Sequence, residues 1–416
     1  MDLTQGYNLF LDPHTDVPVR LIPIPSKPLM NMKPYEHLVE RQRRFLHSHR
    51  GVRKPELKDV FERLCYIAPS DLIVSNYIRS KPLVAFNPGA LLVGKRLRVF
   101  PRLIFDYYKY VSSIGVFELD IESVLNGDVP KPIETRIVLW PQSIWEFLGV
   151  EDPRTLLRDG EVYVLYTGKG YYLGRLSPSD YVTQLSRLLG RTSLRDASVE
   201  PFEELLNQVY MYGRFKRRDV LGLAILDETY EVKRRLYFRI RFGDEFLLPR
   251  SNKDSAFVDV DVDECTILTR PEVDGLNICW RCKASLHDGV IIGETLQPVL
   301  GFEDWELKIG WSTNTVKVSS NEYLVGWHAV LKDDLSYRNG LALVDETGRL
   351  LALSNYLLAS KGLVETYGDR ILVIFGDGLL VYQDRLLWIG GVGDYAIGLF
   401  STDLDEVFEE LKWLTG

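Results

Sequence analysis

The feature that most constrains the fold of this chain is a turn followed by an aromatic-rich strand, which occurs five times. The five turns begin at residues 92, 156, 258, 317 and 379. The intervals are therefore 64 residues (92 to 156), 102 (156 to 258), 59 (258 to 317) and 62 (317 to 379). Repeats of this length are typical of four-stranded blades that bury their faces against two neighbours. We predict an all-β fold, a five-bladed β-propeller; a β-sandwich with helical additions is the alternative.

Helical patterns precede these repeats. Apolar residues at helical spacing predict helices from Tyr35 to His49 and from Pro55 to Cys65, with Pro55 in a first turn. We therefore predict that residues 1–80 form an N-terminal helical extension and that the propeller comprises residues 81–403.

Two further helical segments are predicted. The long interval contains the helical pattern Asp180 to Tyr210, which indicates an insertion at about 176–212. After the last repeat, residues 404–416 are predicted to form a C-terminal helix, with Asp403 or Asp405 as its N-cap. We expect the helical extension and the insertion to cover the propeller or to make contacts in a homo-oligomer.

Composition excludes several classes of protein. The 416 residues are 46% hydrophobic and 26% charged, as in ordinary globular proteins, and the net charge of −8 argues against a nucleic-acid partner. No apolar stretch reaches the roughly 20 residues that span a bilayer, and the N-terminus lacks the pattern of a secretory signal. We therefore expect a cytoplasmic protein that does not bind a membrane.

The four cysteines indicate neither a disulfide framework nor a metal site. Cys279 and Cys282 have the spacing of metal ligands, but there is no second CxxC pair. We predict that they are buried thiols in a strand, and no metal is expected.

Asp152 is the leading catalytic candidate because it lies in a dense polar group ahead of the apolar strand Glu161 to Tyr166. Pro153 restricts the residue before it, so we predict an extended backbone at Asp152. Glu151 and Arg154 complete the group. Asp152 could instead pair with Arg154 and stabilise a blade turn.

Several short segments together resemble the β-mannoside phosphorylase family, glycoside hydrolase family 130, which includes mannosylglucose phosphorylases and related mannosidases. They occur in the family's order between about residues 86 and 398: Phe86-Asn87-Pro88-Gly89-Ala90, Glu151-Asp152-Pro153-Arg154, Lys253-Asp254-Ser255-Ala256-Phe257, Thr269-Arg270-Pro271, Ile309-Gly310, Trp327-His328-Ala329-Val330 and Gly390-Gly391-Val392-Gly393-Asp394. The resemblance implies a five-bladed propeller that cleaves a β-mannoside, such as an oligosaccharide, with inorganic phosphate to give mannose 1-phosphate. It implies no cofactor.

The resemblance also implies roles for individual residues. Asp152 is the general acid and acts through a sugar hydroxyl that relays its proton. The implied substrate-binding residues are Asn87, Arg102, Arg154, Asp254, His328 and Asp394. The implied phosphate-binding residues are Arg217, Arg235 and Lys253, and the planar guanidinium of arginine suits such an anion. The family commonly has His-Arg-Pro where this chain has Thr269-Arg270-Pro271, and His328 could equally be a hydrogen-bonded core residue.

Two other functions fit the same sequence. The protein could be an inverting hydrolase that activates water with a second carboxylate, for which Glu151, Asp254 and Glu365 are candidates. It could also be a propeller that binds glycans without catalysis. Phosphate-dependent turnover of a mannoside would separate the phosphorylase from both alternatives.

Overall fold

A computed structural model describes residues 8–11, 18–20, 32–107, 110–173 and 215–414. The chain begins with a hairpin of β1 (Asn8–Leu11) and β2 (Pro18–Arg20). The described α-helices are α1 (Met32–Ser48), α2 (Ile121–Leu125), α3 (Gly362–Thr366) and α4 (Leu404–Glu410). Within these ranges, no helix has the length and apolar character needed to cross a bilayer.

The remaining described strands form five mainly antiparallel sheets. Each sheet is made of strands that are consecutive in the sequence, except for β3 (Glu62–Ile67), which joins the fifth sheet, and β29 (Lys412–Trp413), which joins the fourth. The first sheet consists of β4 (Leu72–Val74), β5 (Val84–Val93), β6 (Arg96–Ile104), β7 (Ser112–Asp120) and β8 (Ile133–Leu139). The second sheet consists of β9 (Gly149–Arg158), β10 (Glu161–Leu173), β11 (Phe215–Leu226) and β12 (Val232–Tyr237).

The last three sheets are organised in the same way. The third consists of β13 (Arg239–Phe242), β14 (Glu245–Leu247), β15 (Asn252–Val260), β16 (Glu264–Val273), β17 (Leu276–Asn277), β18 (Cys279–Ser285), β19 (Val290–Ile292) and β20 (Gln297–Leu300). The fourth consists of β21 (Glu306–Lys317), β22 (Glu322–Leu331), β23 (Tyr337–Asp345), β24 (Leu350–Leu353), β25 (Leu358–Ala359) and β29. The fifth consists of β26 (Ile374–Tyr382), β27 (Arg385–Val392), β28 (Ala396–Asp403) and β3.

The five sheets have a propeller-like arrangement, and each of the five repeated turns of the sequence forms a hairpin in a different sheet: β5–β6, β9–β10, β15–β16, β21–β22 and β26–β27. The strand before each turn packs against its counterparts in neighbouring sheets, and β26 of the fifth sheet packs against β5 of the first. We call these five strands the inner strands. The mostly β, propeller-like fold predicted from the repeat is confirmed.

The hydrophobic cores lie between neighbouring sheets. One core joins Leu97 and Leu103 of the first sheet to Leu387 and Ile389 of the fifth. Other cores join the first sheet to the second, the fourth to the fifth, and the second, third and fourth together. Both faces of each sheet are therefore covered, and the inner strands carry buried polar residues among their apolar ones, for example Glu151, Asp152 and Arg154 on β9.

The helix predicted from Pro55 to Cys65 is wrong. Residues 62–67 form β3, whose backbone pairs with β28 at the outer edge of the fifth sheet. Apolar residues there have helical spacing, but a long-range strand partner satisfies the backbone groups instead. β3 and β4 both belong to the sheets, so the sheets begin well before the predicted boundary at residue 80.

The other predicted helices have different outcomes. α1 confirms the helix predicted at Tyr35 to His49. α4 confirms a C-terminal helix with Asp403 at its N-cap, but it ends at Glu410, and β29 then pairs with β24. The insertion predicted at about 176–212 lies outside the described residues.

Each inner strand contains a bulge at the same level. Extra residues interrupt the register with the second strand at Asn87–Pro88, Asp152–Pro153, Asp254–Ser255, Ser312–Asn314 and Asp377. Asn87, Asp152 and Asp254 adopt left-handed φ angles of 42°, 53° and 51°. Asn and Asp tolerate this region better than other non-glycine residues, and a bulge redirects a side chain.

The prediction of an extended Asp152 at the entrance of the next strand is therefore wrong. Asp152 lies within β9, on its bulge. Pro153 disfavours the right-handed helical region for the preceding residue, and the bulge then selects the left-handed conformation over the extended one.

Candidate active site

The carboxylate of Asp152 is held by two residues of the first sheet. Its Oδ1 accepts hydrogen bonds from Asn87 Nδ2 at 3.0 Å and from Arg102 Nη1 at 3.1 Å. Arg102 Nη2 donates to Glu151 Oε1 at 2.7 Å, and Lys169 Nζ lies 3.1 Å from the same oxygen. The first two sheets therefore share a buried network of charges centred on Arg102.

This network determines the charge of Asp152. Burial acts to raise the pKa of Asp152, but Arg102 and Arg154, with the hydrogen bond from Asn87, lower it below its usual range. Asp152 is therefore a carboxylate at neutral pH in the free protein.

Arg154 connects four of the five sheets. Its Nη1 donates to the backbone oxygen of Asp152 at 2.8 Å, and its Nε donates to the backbone oxygen of Ser312 at 2.7 Å. Its Nη2 lies 2.8 Å from Asp377 Oδ1 and 3.9 Å from Asp254 Oδ1. Arg154 is 3% exposed, so protein groups enclose the guanidinium. The structure places this predicted substrate-binding residue as a connector between sheets.

Asp254 is also engaged with basic side chains. Its Oδ2 lies 2.8 Å from Arg270 Nε and 3.8 Å from His328 Nε2. Burial opposes the charge, but the guanidinium groups of Arg270 and Arg154 lower the pKa of Asp254. A side chain at Gly310 would place its Cβ 2.6 Å from this carboxylate, so glycine is required for the arrangement.

His328 is a hydrogen-bonded core residue. Its Nδ1 lies 3.0 Å from Ser312 Oγ, and its ring stacks on Tyr337 with 5.4 Å between centroids. Burial, with the positive charges of Arg270 and Lys308, holds the pKa of His328 well below its usual range. The ring is therefore neutral, and it supports Asp254 from within the core.

Asp394 lies in the turn between β27 and β28, with a left-handed φ of 51°. Burial, with the negative charges of Asp152 and Asp369, raises the pKa of Asp394 to about 6, although Arg102 and Arg370 oppose this. No described residue donates a hydrogen bond to its carboxylate. Its oxygens can therefore accept hydrogen bonds from a ligand.

A cationic cavity adjoins this centre. Its volume is about 630 Å³, and its described lining is Arg217, Arg218, Asp219, Arg250, Ser251, Lys253, Arg270, Glu272, Asn277 and Lys308. Six of these side chains are basic and two are acidic. Lys253 neighbours Asp254 on β15, and its charge also lowers the pKa of Asp152. The cavity can therefore attract an anion close to Asp152.

Arg217 and Lys253 are the predicted phosphate-binding residues that line this cavity. Arg235, the third residue predicted to bind phosphate, does not line it. Its Nη1 donates to Glu146 Oε2 and to the backbone oxygen of Trp140, both at 2.9 Å, in the segment between β8 and β9. A run of basic residues beside a strand does not reveal which of them point into the sheet packing.

Thr269, where the resemblance led us to expect histidine, does not line the cavity. Its hydroxyl donates to Asn252 Oδ1 at 2.7 Å and lies 2.8 Å from Ser255 Oγ. Sequence reasoning missed several residues of the site, among them Arg250, Arg270, Lys308 and Asp377. Arg270 lies in the motif Thr269-Arg270-Pro271, and Lys308 comes directly before the motif Ile309-Gly310. Arg250 and Asp377 lie in none of the family motifs.

The cysteines play no part in this site. Cys265, Cys279 and Cys282 are free and buried, as predicted for Cys279 and Cys282. In the part of the chain that the structure describes, no group of three or more His, Cys, Asp or Glu side chains could hold a metal ion.

Comparisons with known proteins match this fold. The family model for beta-1,4-mannooligosaccharide phosphorylase, glycoside hydrolase family 130, matches residues 51–180 and 210–413. The β-1,2-mannobiose phosphorylase of Listeria innocua has a TM-score of 0.56 at 14% identity, over 84% of this chain and 98% of that one. MPT-4, a mannose phosphorylase of Leishmania mexicana in complex with phosphate ion, has a TM-score of 0.51 at 12% identity, over 92% of this chain and 100% of that one. No curated protein sequence matches the chain.

Proposed function

The chain belongs to glycoside hydrolase family 130, and on this premise we propose that it cleaves a β-mannoside with inorganic phosphate, giving mannose 1-phosphate and a shorter acceptor. Members of the family are mannoside phosphorylases or related glycosidases, so the protein is an enzyme of this kind. The observation that carries the phosphorylase assignment is the cationic cavity beside Asp152.

The cavity suits phosphate as the nucleophile. It is lined by six basic side chains, among them Arg217, Lys253 and Arg270. The two acidic residues of the lining do not balance this positive charge. Charge-assisted hydrogen bonds from such side chains favour an anion, whereas a water nucleophile gains little from them. A hydrolase would instead require a free carboxylate as its base.

The three carboxylates that the sequence suggested as the base of a hydrolase are occupied. Glu151 contacts Arg102 and Lys169, and Asp254 contacts Arg270. Glu365 accepts hydrogen bonds from Arg63 and Tyr66 beside β3, at the outer edge of the fifth sheet. These contacts favour phosphate over water as the nucleophile.

Asp152 supplies the proton in the proposed reaction. The bond between the anomeric carbon and the departing oxygen breaks while a phosphate oxygen bonds to that carbon. A sugar hydroxyl passes its proton to the departing oxygen and receives one from Asp152. Because Asp152 is ionised in the free protein, substrate must raise its pKa, and redirecting Arg102 towards the sugar would do so.

We assign the mannose unit to the side of Asp152 that is formed by Arg102, Asn87 and Asp394. Asp394 has free acceptor oxygens there, and Arg102 is within electrostatic reach of it. Asn87 contributes its buried Oδ1, which has no hydrogen-bond partner in the described structure. These groups can bind sugar hydroxyls.

We also infer that the five sheets are the blades of a closed five-bladed propeller. β3 precedes the first sheet in sequence but completes the fifth, which joins the two ends of the sheet series. The contact between β26 and β5 supports the same closure.

The test is a panel of β-linked mannosides, incubated with and without inorganic phosphate and assayed for mannose 1-phosphate. We expect product only with phosphate, and loss of at least 100-fold in turnover for Asp152→Asn, within the range for general acids. Equal mannose release without phosphate would refute the phosphorylase assignment. Full activity of Asp152→Asn would refute its role as acid.

A further inference from the structure

Lys308 is a basic residue of the cavity that lacks a carboxylate partner. It lies on β21, and its Nζ is 5.6 Å from the centre of the Tyr337 ring. Within the described ranges, no carboxylate lies at ion-pair distance from Nζ. Arg270, by contrast, is paired with Asp254.

The groups around Lys308 are mostly positive or neutral. Arg270 faces it from β16, Lys253 and Asp254 from β15, and Arg370 from the segment before β26. His328 on β22 and Tyr337 on β23 are uncharged neighbours. Burial and the charges of Arg270 and Lys253 lower the pKa of Lys308 to about 7, against the opposing effect of Asp254. The charge of Lys308 therefore changes near neutral pH.

We propose that Lys308 is a titrating ligand of the bound anion, neutral in much of the free protein near neutral pH and protonated when phosphate occupies the cavity. The inference rests on the proposed function. One N–H bond forms at Nζ, and the proton comes from solvent or from monobasic phosphate. The new ammonium then offers three donors to the anion.

Phosphate affinity should therefore fall as the pH rises above neutrality. Above pH 7 the free protein must take up a proton to bind, and the apparent affinity falls by up to tenfold for each pH unit. An arginine at this position would stay charged and remove the dependence.

The experiment is titration calorimetry of the full chain with inorganic phosphate at pH 7 and pH 9. At pH 8 the titration is repeated in buffers with different ionisation enthalpies, and the change in the observed binding enthalpy gives the number of protons taken up. For the wild type we expect the dissociation constant to rise about 20-fold between pH 7 and pH 9, with about 0.8 proton taken up at pH 8, because the titration of phosphate itself offsets part of the lysine effect. Lys308→Arg should change less than threefold over this range and take up almost none.

Two further variants complete the design. Lys308→Met should bind phosphate weakly and without the pH dependence. Lys332→Met removes an exposed lysine at the end of the same sheet's second strand and should retain the wild-type slope. Circular dichroism of each variant establishes that it is folded.

The outcomes separate this inference from the proposed function. Phosphate that binds with the same affinity at both pH values overturns the role of Lys308 alone, as does a Lys308→Arg variant with the wild-type slope. Absence of both phosphate binding and phosphate-dependent product overturns the proposed function and the inference together.

Discussion

Arg154 offers the sharpest test, because the structure and the family resemblance give it different roles. The resemblance makes it a substrate-binding residue, whereas its contacts make it a buried connector of four sheets. Arg154→Met keeps much of the aliphatic volume and removes the guanidinium. The variant therefore loses the hydrogen bonds to the backbone oxygens of Asp152 and Ser312 and the contact with Asp377.

The expected cost follows from burial. Removing one partner from a buried charge network costs about 3–5 kcal/mol, since the remaining groups lose their compensation. Asp152 keeps Arg102 as a partner and Asp254 keeps Arg270. We therefore expect the free energy of unfolding to fall by about 3–4 kcal/mol. For a chain of 416 residues, an unfolding entropy of about 2 cal/mol/K per residue makes this a fall in Tm of about 4 °C.

The measurements are urea denaturation and thermal unfolding, with KM for the mannoside measured in parallel. Arg98→Met is the matched control, because Arg98 pairs with Glu118 at 3.0 Å where both side chains are partly exposed, and such pairs contribute at most about 1 kcal/mol. The connector role is refuted if Arg154→Met is as stable as Arg98→Met and only its KM rises.

The remaining predictions concern charges at the site. Since the pKa of Asp394 is raised to about 6, its carboxylate protonates as the pH falls through about 6. The KM for the mannoside should therefore rise over this range in the wild type and stay constant in Asp394→Asn. The same pH profile of KM in both proteins would contradict this role of Asp394. Arg235→Met should leave the KM for phosphate within twofold of wild type, because Arg235 pairs with Glu146 outside the cavity, whereas Lys253→Met should raise it at least tenfold. Steady-state kinetics of the two variants compares them directly, and a similar rise in both would return Arg235 to the anion site.

Local signals in the sequence located the sheets and much of the site. The five turns were found because hairpin connections depend on neighbouring residues. The polar group at Asp152 was found because several charged residues adjoin one apolar strand. Pro55 to Cys65 was misassigned because its pairing with β28 involves residues more than 300 positions away.

The choice among the basic residues could not be made from spacing. Arg217 and Arg235 lie in similar basic runs on either side of one strand, yet only Arg217 lines the cavity. The difference arises because Glu146, from a separate segment, lies where it can pair with Arg235. No local pattern encodes that contact.

The order of residues along the chain was sufficient to predict a repeated β architecture, the family and Asp152 as the catalytic candidate. Those properties depend on turn chemistry, hydrophobic runs and short motifs, which are all local. Three other properties depend on contacts between sheets: the bulge that gives Asp152 its left-handed backbone, the pairing that keeps Asp152 ionised, and the lack of a carboxylate partner for Lys308. They emerge only when the inner strands pack together, because burial and neighbouring charges from distant segments set the protonation of each group.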